Sequence, residues 1–179
     1  MSASATSFLG SWSTFYAMTG TSAATLVGLM FVVITLLTRV EAPQSQDGLA
    51  TFSTPTVLHF CWVLFISAIL SAPWHALVYP GVLIGLAGFY GVVHQVRVMF
   101  LSRRLSGYVP DLEDWVWYTI LPLVAYGAVF AGGVALTTLP GVALFVLAGG
   151  VLLLIFIGIR DAWDVVTFLA VLTRKGPSE

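Results

Sequence analysis

Apolar residues run through this chain in long blocks, too continuous for alternating strands and too long for soluble helices with one wet face. Crossing a hydrocarbon core as a helix takes about 20 apolar residues. Five blocks reach that length. The first covers roughly 15–37 and is stopped by Arg39, Glu41 and Pro43. The second, roughly 51–71, ends at Ala72-Pro73-Trp74. The third runs from about 77 to 100, with Pro80 in its first turn, where a missing N–H is tolerated. The fourth covers about 115–136 ahead of a turn at Pro140 and Gly141, and the fifth about 142–160. The pattern predicts an all-α, polytopic integral membrane protein: five transmembrane helices in one membrane domain over residues 1–179.

Charge tests that count independently. Lys and Arg resist translocation and gather on the cytoplasmic side of a membrane. The chain has seven of them. Arg39 follows the first block, Arg97, Arg103 and Arg104 close the third, and Arg160, Arg174 and Lys175 end or follow the fifth. With five crossings all of them share one side, which puts the N-terminus outside and the C-terminus in the cytoplasm, N-out/C-in across a cell (cytoplasmic) membrane. One crossing more or fewer breaks the separation.

Composition points the same way. Hydrophobic residues make up 59% and charged residues 8%, with a mean hydropathy of +0.99. Soluble domains carry about 25% charged residues, so this chain cannot cover a water-facing surface, and nucleic acid is not an expected partner. The opening MSASATSFLGSWS has no basic residue and reads as mature chain rather than a signal peptide. The single cysteine, Cys61, excludes an internal disulfide and cysteine-based metal clusters.

Trp and Tyr favour the headgroup level. Trp12, Tyr16, Trp74 and Tyr79 are expected at the outer interface, Trp115, Trp117, Tyr118 and Trp163 at the inner one, and Trp62 as a packing residue inside the second span. The fifth block meets Arg160, Asp161 and Asp164 and then turns apolar again through Val165, Phe168, Leu169 and Leu172. At 1.5 Å per residue, Arg160 falls about 27 Å from Val142, close to the inner edge of the core. Residues 161–173 then read as a cytoplasmic helical tail, and no carboxylate is expected inside a span.

Small residues supply close helix contacts in lipid. They recur as Gly20-xxx-Ala24-xxx-Gly28, as Gly81-xxx-Gly85 with Gly88, as Ala128-xxx-Gly132 and as Gly149-Gly150. Thr14, Thr21, Gly28 and Thr35, seven apart, form with Thr25 a polar seam on one face of the first span. Such a seam lines a narrow water path in an oligomer, or each hydroxyl bonds back to its own helix. His59 and His94 lie within the second and third spans, an antiparallel hairpin that puts both imidazoles in the inner half of the membrane. His59 shares a face with Thr56, Ser67 and Ser71, and His94 with Tyr90 and Arg97. Paired histidines ligate haem or a metal or pass protons; a neutral imidazole bonded to Ser or Thr is the plainer reading. Arg97, Arg160, Asp161 and Asp164 form either a salt-bridge network, with Arg160 and Asp164 four apart, or a charged cytoplasmic mouth. Asp111, Glu113 and Asp114 suit the start of the fourth helix. No nucleophile–base pair or carboxylate cluster suggests an enzyme, and no cofactor is called for.

At FYAMTGTSAATLVGLMFVVITL (15–36) and GIRDAWDVV (158–166) the chain resembles an uncharacterised family of small bacterial multi-pass membrane proteins that open with a Thr/Ala/Gly-rich span and close with an Ala-Trp-Asp segment. The resemblance implies a bacterial cytoplasmic membrane and no particular activity. The sequence thus leads to an expectation of a small oligomeric channel or transporter, a homo-oligomer in the lipid bilayer. The alternatives are an accessory or scaffold protein that binds a membrane-protein partner through its tail, and a haem-binding redox protein using His59 and His94.

Overall fold

The computed structural model describes residues 2–40, 46–102 and 115–174, among which only helices and short connections occur. Helix α1 is Ser2–Val40, α2 is Gln46–Ser71 and α3 is Val78–Ser102. One π turn, Val116–Ile120, leads into α4, Leu121–Ala135, and α5 is Pro140–Arg174. Among the described residues four helices are long and apolar enough to cross a membrane: the stretches Ser7–Thr35, Val78–Phe100, Val116–Ala135 and Pro140–Asp164. In α2 the apolar stretch is Thr56–Ser71.

Two helices outrun their apolar blocks. Helix α1 begins well before position 15 because its polar start is compatible with a helix: Ser11 and Ser13 donate back to the carbonyls of Phe8 and Gly10, both at 2.8 Å. Helix α5 passes the Arg160 cluster without a break, no proline standing between Pro140 and Arg174. The second loop's Arg103, Arg104, Asp111, Glu113 and Asp114 lie outside the described residues, as does Lys175.

Packing does not follow chain order. Helix α3 lies along α4, α4 along α5, α5 along α2 and α2 along α1, with α1 also touching α5. The expected α2–α3 hairpin is therefore loose: the two helices are joined by a short connection yet pack mainly on other partners. Helix α5 is the centre. Its Leu144, Leu147, Val151, Leu154 and Ile157 are wholly buried at three- and four-residue spacing, one stripe of an α-helix. Phe60, Val63, Ile66 and Leu70 of α2 face it, with Tyr16, Ala23 and Met30 of α1. Large apolar side chains also cover the outside, among them Phe31, Leu86, Phe89, Phe145 and Phe156. An apolar exterior around an apolar interior suits lipid, not water. The chain is a multi-pass membrane protein.

The α3–α4 contact explains where α3 went. A Cβ added to Gly133 would stand 2.5 Å from the Gly85 nitrogen, and one on Gly88 would strike the backbone of Phe130. The two backbones touch, which only glycine allows. Gly81 joins them, 3.0 Å from the Gly133 carbonyl by the same measure. Gly20 packs on Ser67, Gly132 on Leu147 and Gly150 on the Ala125 carbonyl, whereas Gly28 and Gly149 face open space.

The aromatic residues collect at two ends. Trp74 stacks with Tyr79 at 6.3 Å, and Trp12 meets Phe145 at 4.6 Å. At the opposite end Trp117 and Tyr118 lie beside Arg160 and Asp164. Tyr16 faces inward: it is fully buried, and its hydroxyl donates to the Leu144 carbonyl at 3.1 Å inside the bundle. Trp62 packs as expected, between Phe65 and Tyr90 at 5.8 Å from each.

Candidate functional site: a buried polar crossing of three helices

His59 lies on the face of α2 that carries Thr56, Phe60, Val63 and Ser67, all buried, so the helix directs its imidazole inward. The residue is 6% exposed. Its Nδ1 is 2.9 Å from the hydroxyl of Tyr126 on α4, and its Nε2 is 4.0 Å from Oδ2 of Asp161 on α5. Tyr126 and Asp161 are 4% and 5% exposed. Three helices thus meet through three polar side chains.

Glycines make the meeting possible. Gly91 of α3 lies flat against the Tyr126 ring, where any side chain would collide, so the ring is held from behind. Gly158 leaves room for the Phe60 ring, which a Cβ would approach to 2.6 Å. That gap brings α5 close enough to α2 for Asp161, one turn on, to face His59.

The two neighbours of the ring assign the tautomer. The Tyr126 hydroxyl can donate to Nδ1 or accept from it, but the Asp161 carboxylate facing Nε2 favours a proton on that nitrogen, which makes Nδ1 the acceptor and Tyr126 the donor. At 4.0 Å the carboxylate contact is electrostatic, too long for a hydrogen bond. The other carboxylate oxygen, Oδ1, is buried with no hydrogen-bond partner. Native proteins leave few such groups, because an unsatisfied buried acceptor is costly.

A second polar layer surrounds the end of α5. The Arg160 guanidinium lies over the Trp117 ring at 4.4 Å, and Tyr118 donates to Asp164 at 3.2 Å. Both aromatic residues belong to the π turn. Pro122 has no N–H to offer the Tyr118 carbonyl one α turn back, and Gln95 of α3 supplies the donor instead, at 2.6 Å. Helix α3, the π turn that opens α4, and α5 are therefore tied at this end by polar bonds.

The sequence candidates divide accordingly. His59 and Asp161 come together, and Arg160 and Asp164 flank them. His94 and Arg97 do not join: both are exposed on α3, where His94 stacks on Tyr90 at 6.2 Å. The two histidines do not converge on a common ligand position, since His59 is turned inward to Tyr126 and Asp161. Thr14, Thr21, Thr25, Gly28 and Thr35 are all exposed and far from His59 along α1's outer face. Thr25 and Thr35 donate back to Thr21 and Phe31 at 2.9 and 2.7 Å. The partner of His59 Nδ1 is a tyrosine, Tyr126, while Ser67, two turns along α2, is bonded to Thr19 of α1 at 3.1 Å.

Asp161 adds what the sequence reading lacked: it was expected at the inner interface, and the structure buries it within the bundle, near the end of the apolar stretch Pro140–Asp164. It follows Ile157 by four residues and Leu154 by seven, so it continues the inward stripe of α5. That spacing was visible in the sequence. Tyr126 and Gln95, both missed, gave only the signal of a lone polar side chain in an apolar run.

An imidazole between a hydroxyl and a carboxylate can accept a proton at one nitrogen and release one from the other. Among the described residues no three His, Cys, Asp or Glu side chains gather as a metal-ligand set.

Fold and site together define a multi-pass α-helical membrane protein with an ionisable crossing inside its bundle. No family model, curated protein or solved structure matches the chain.

Proposed function

We propose that the protein is a small membrane transport protein, a channel or transporter, with five spans oriented N-out/C-in in the cell membrane and active as an oligomer. Helix α2 serves as the fifth crossing, supported by the wholly buried Phe60, Val63, Ile66 and Leu70 that pack it among the other spans. The gathering of all seven basic residues on one side of a five-span chain supports the orientation.

One observation carries the transport reading: His59, Tyr126 and Asp161 meet inside a bundle whose buried side chains are mostly apolar. Ionisable side chains in a span are expensive, and where they occur they mark ion or substrate paths. The outward threonine seam of α1 offers a surface through which copies could meet. Reconstituted vesicles test the reading. Ion or solute flux that disappears with Thr21→Leu and Thr25→Leu supports an oligomeric path along the seam, and no flux under any imposed gradient refutes transport.

A second reading has its own observation. Trp163 is 68% exposed and Val166 is also exposed, next to the charged end of α5. An accessory protein that docks a membrane-protein partner there would use this surface. Crosslinking from position 163 in native membranes that captures only copies of this chain would argue against it.

A further inference from the structure

We infer that the His59–Asp161 pair is a proton-binding site, loaded through Tyr126, and that the species it carries is H⁺. The inference rests on the transport reading for its physiological use and names what the polar crossing handles.

Geometry and charge both lead to a proton. In the tautomer set by Asp161, His59 is neutral with its proton on Nε2, and Asp161 carries the pair's one negative charge. That charge is buried with Oδ1 bare. A single added proton neutralises the pair, and nothing larger is needed. A divalent cation would want three or more oxygen or nitrogen ligands, and among the described residues no third His, Cys, Asp or Glu completes a ligand set with His59 and Asp161. Arg160, on the adjacent helical position, lies over the Trp117 ring, with its positive charge near enough to act on Asp161.

The step balances. The Tyr126 hydroxyl passes its proton to Nδ1, its O–H bond breaking as the N–H bond forms, and the incoming proton from hydronium restores the hydroxyl. The Nε2–H bond breaks, and that proton passes to Oδ2 of Asp161. The Tyr126 hydroxyl turns from donor to acceptor of the new Nδ1–H. His59 stays neutral overall, Asp161 becomes the neutral acid, and no electron changes hands. The 4.0 Å gap must close by about 1 Å for the transfer, within the reach of a carboxylate rotation. Groups facing the pair are Tyr126 from α4, Tyr118 from the π turn, His94 from α3, and Arg160 and Asp164 from α5 itself. Asp164, bonded to Tyr118 and partly exposed, stands between Asp161 and the aqueous end.

The test reads the intact protein first. Full-length protein, ¹⁵N-labelled at histidine and ¹³C-labelled at aspartate, is titrated with acid in lipid bilayers. The expected result is one histidine changing from the Nε2–H to the Nδ1–H tautomer while one aspartate carboxyl becomes protonated in the same titration. Asp161→Asn removes the carboxyl signal and the tautomer change, and Tyr126→Phe displaces the histidine signal. Proton flux into dye-loaded vesicles should fall about a hundredfold in Asp161→Asn. An aspartate that never protonates with a histidine change, or signals that move with Na⁺ but not with pH, overturns the proton site. Coupled titration without flux in any gradient leaves the site standing and removes the transport reading instead.

Discussion

Where α3 meets α4 the helices touch through absent side chains; where α2 meets α4 and α5 they touch through polar ones. Gly85, Gly88 and Gly133 let two backbones lie in contact, while His59, Tyr126 and Asp161 hold three helices with only one hydrogen bond among them. Lipid makes the first solution cheap, since close packing is what drives helices together there. It makes the second expensive, because each polar atom must find a partner away from water. A glycine contact repeated over about two turns is a sufficient way to build a bundle. A crossing that leaves a carboxylate oxygen bare is a poor way, and its presence asks for a use beyond stability.

The sharpest way to break the contrast is to fill the glycine contact. Gly88→Leu would drive a side chain into the Phe130 backbone, which cannot rotate aside. The expected loss is about 3 kcal/mol or more, read as unfolding in mixed micelles. Gly149→Leu, facing open space, should cost well under 1 kcal/mol. Equal costs at the two positions would mean that α3 and α4 do not touch as described.

His59→Leu attacks the polar crossing. It leaves the Tyr126 hydroxyl buried beside an apolar side chain, at a cost of about 1–2 kcal/mol. Asp161→Leu should be neutral or stabilising, because it removes a buried charge that the fold satisfies badly. Opposite signs for two residues in contact are the signature of a site kept for function. If Asp161→Leu destabilises as much as His59→Leu, the carboxylate is structural.

This difference also governs what the sequence made legible. The apolar blocks and the Gly81, Gly85, Gly88 spacing predicted helices and a glycine face directly, because lipid-driven structure depends on local composition. The partner of that face, Gly133, lay in no motif that pointed to it. The burial of Asp161 went unforeseen because Arg160 and Asp164 beside it suggested an exposed position, and counting residues along the axis measures depth but not direction around the helix. The Tyr126–His59 bond joins residues 67 positions apart, so only the folded order α3, α4, α5, α2, α1 could reveal it. Sequence also set α2 against α3 as a hairpin, and the strength of the α3–α4 glycine contact explains why they pack elsewhere.

Between the two extremes stands the π turn, where a polar bond repairs a backbone defect. Gln95 donates to the Tyr118 carbonyl that Pro122 cannot serve. Gln95→Leu should cost about 1 kcal/mol, since the freed carbonyl is the loss. Pro122→Ala restores an N–H in the helix, so Gln95→Leu made on that background should cost about half as much or less. A cost unchanged by Pro122→Ala would show that Gln95 matters for packing rather than for the missing donor.

The smallest effect is expected at the α1 seam, and it separates polar atoms that hold the fold from those that do not. The Thr25 and Thr35 hydroxyls are exposed and each bonds its own helix, at 2.9 and 2.7 Å. Thr25→Val and Thr35→Val keep the shape and remove only bonds that a helix makes without any neighbour. The protomer's stability should change by less than about 0.5 kcal/mol. Flux is the measurement that gives the substitution meaning: a seam lining a path between copies loses conduction when its hydroxyls go, while the protomer's unfolding curve stays in place. A lowered unfolding midpoint together with unchanged flux would place the seam inside a packing interface, and the difference between the seam and the His59 crossing would then be one of depth alone.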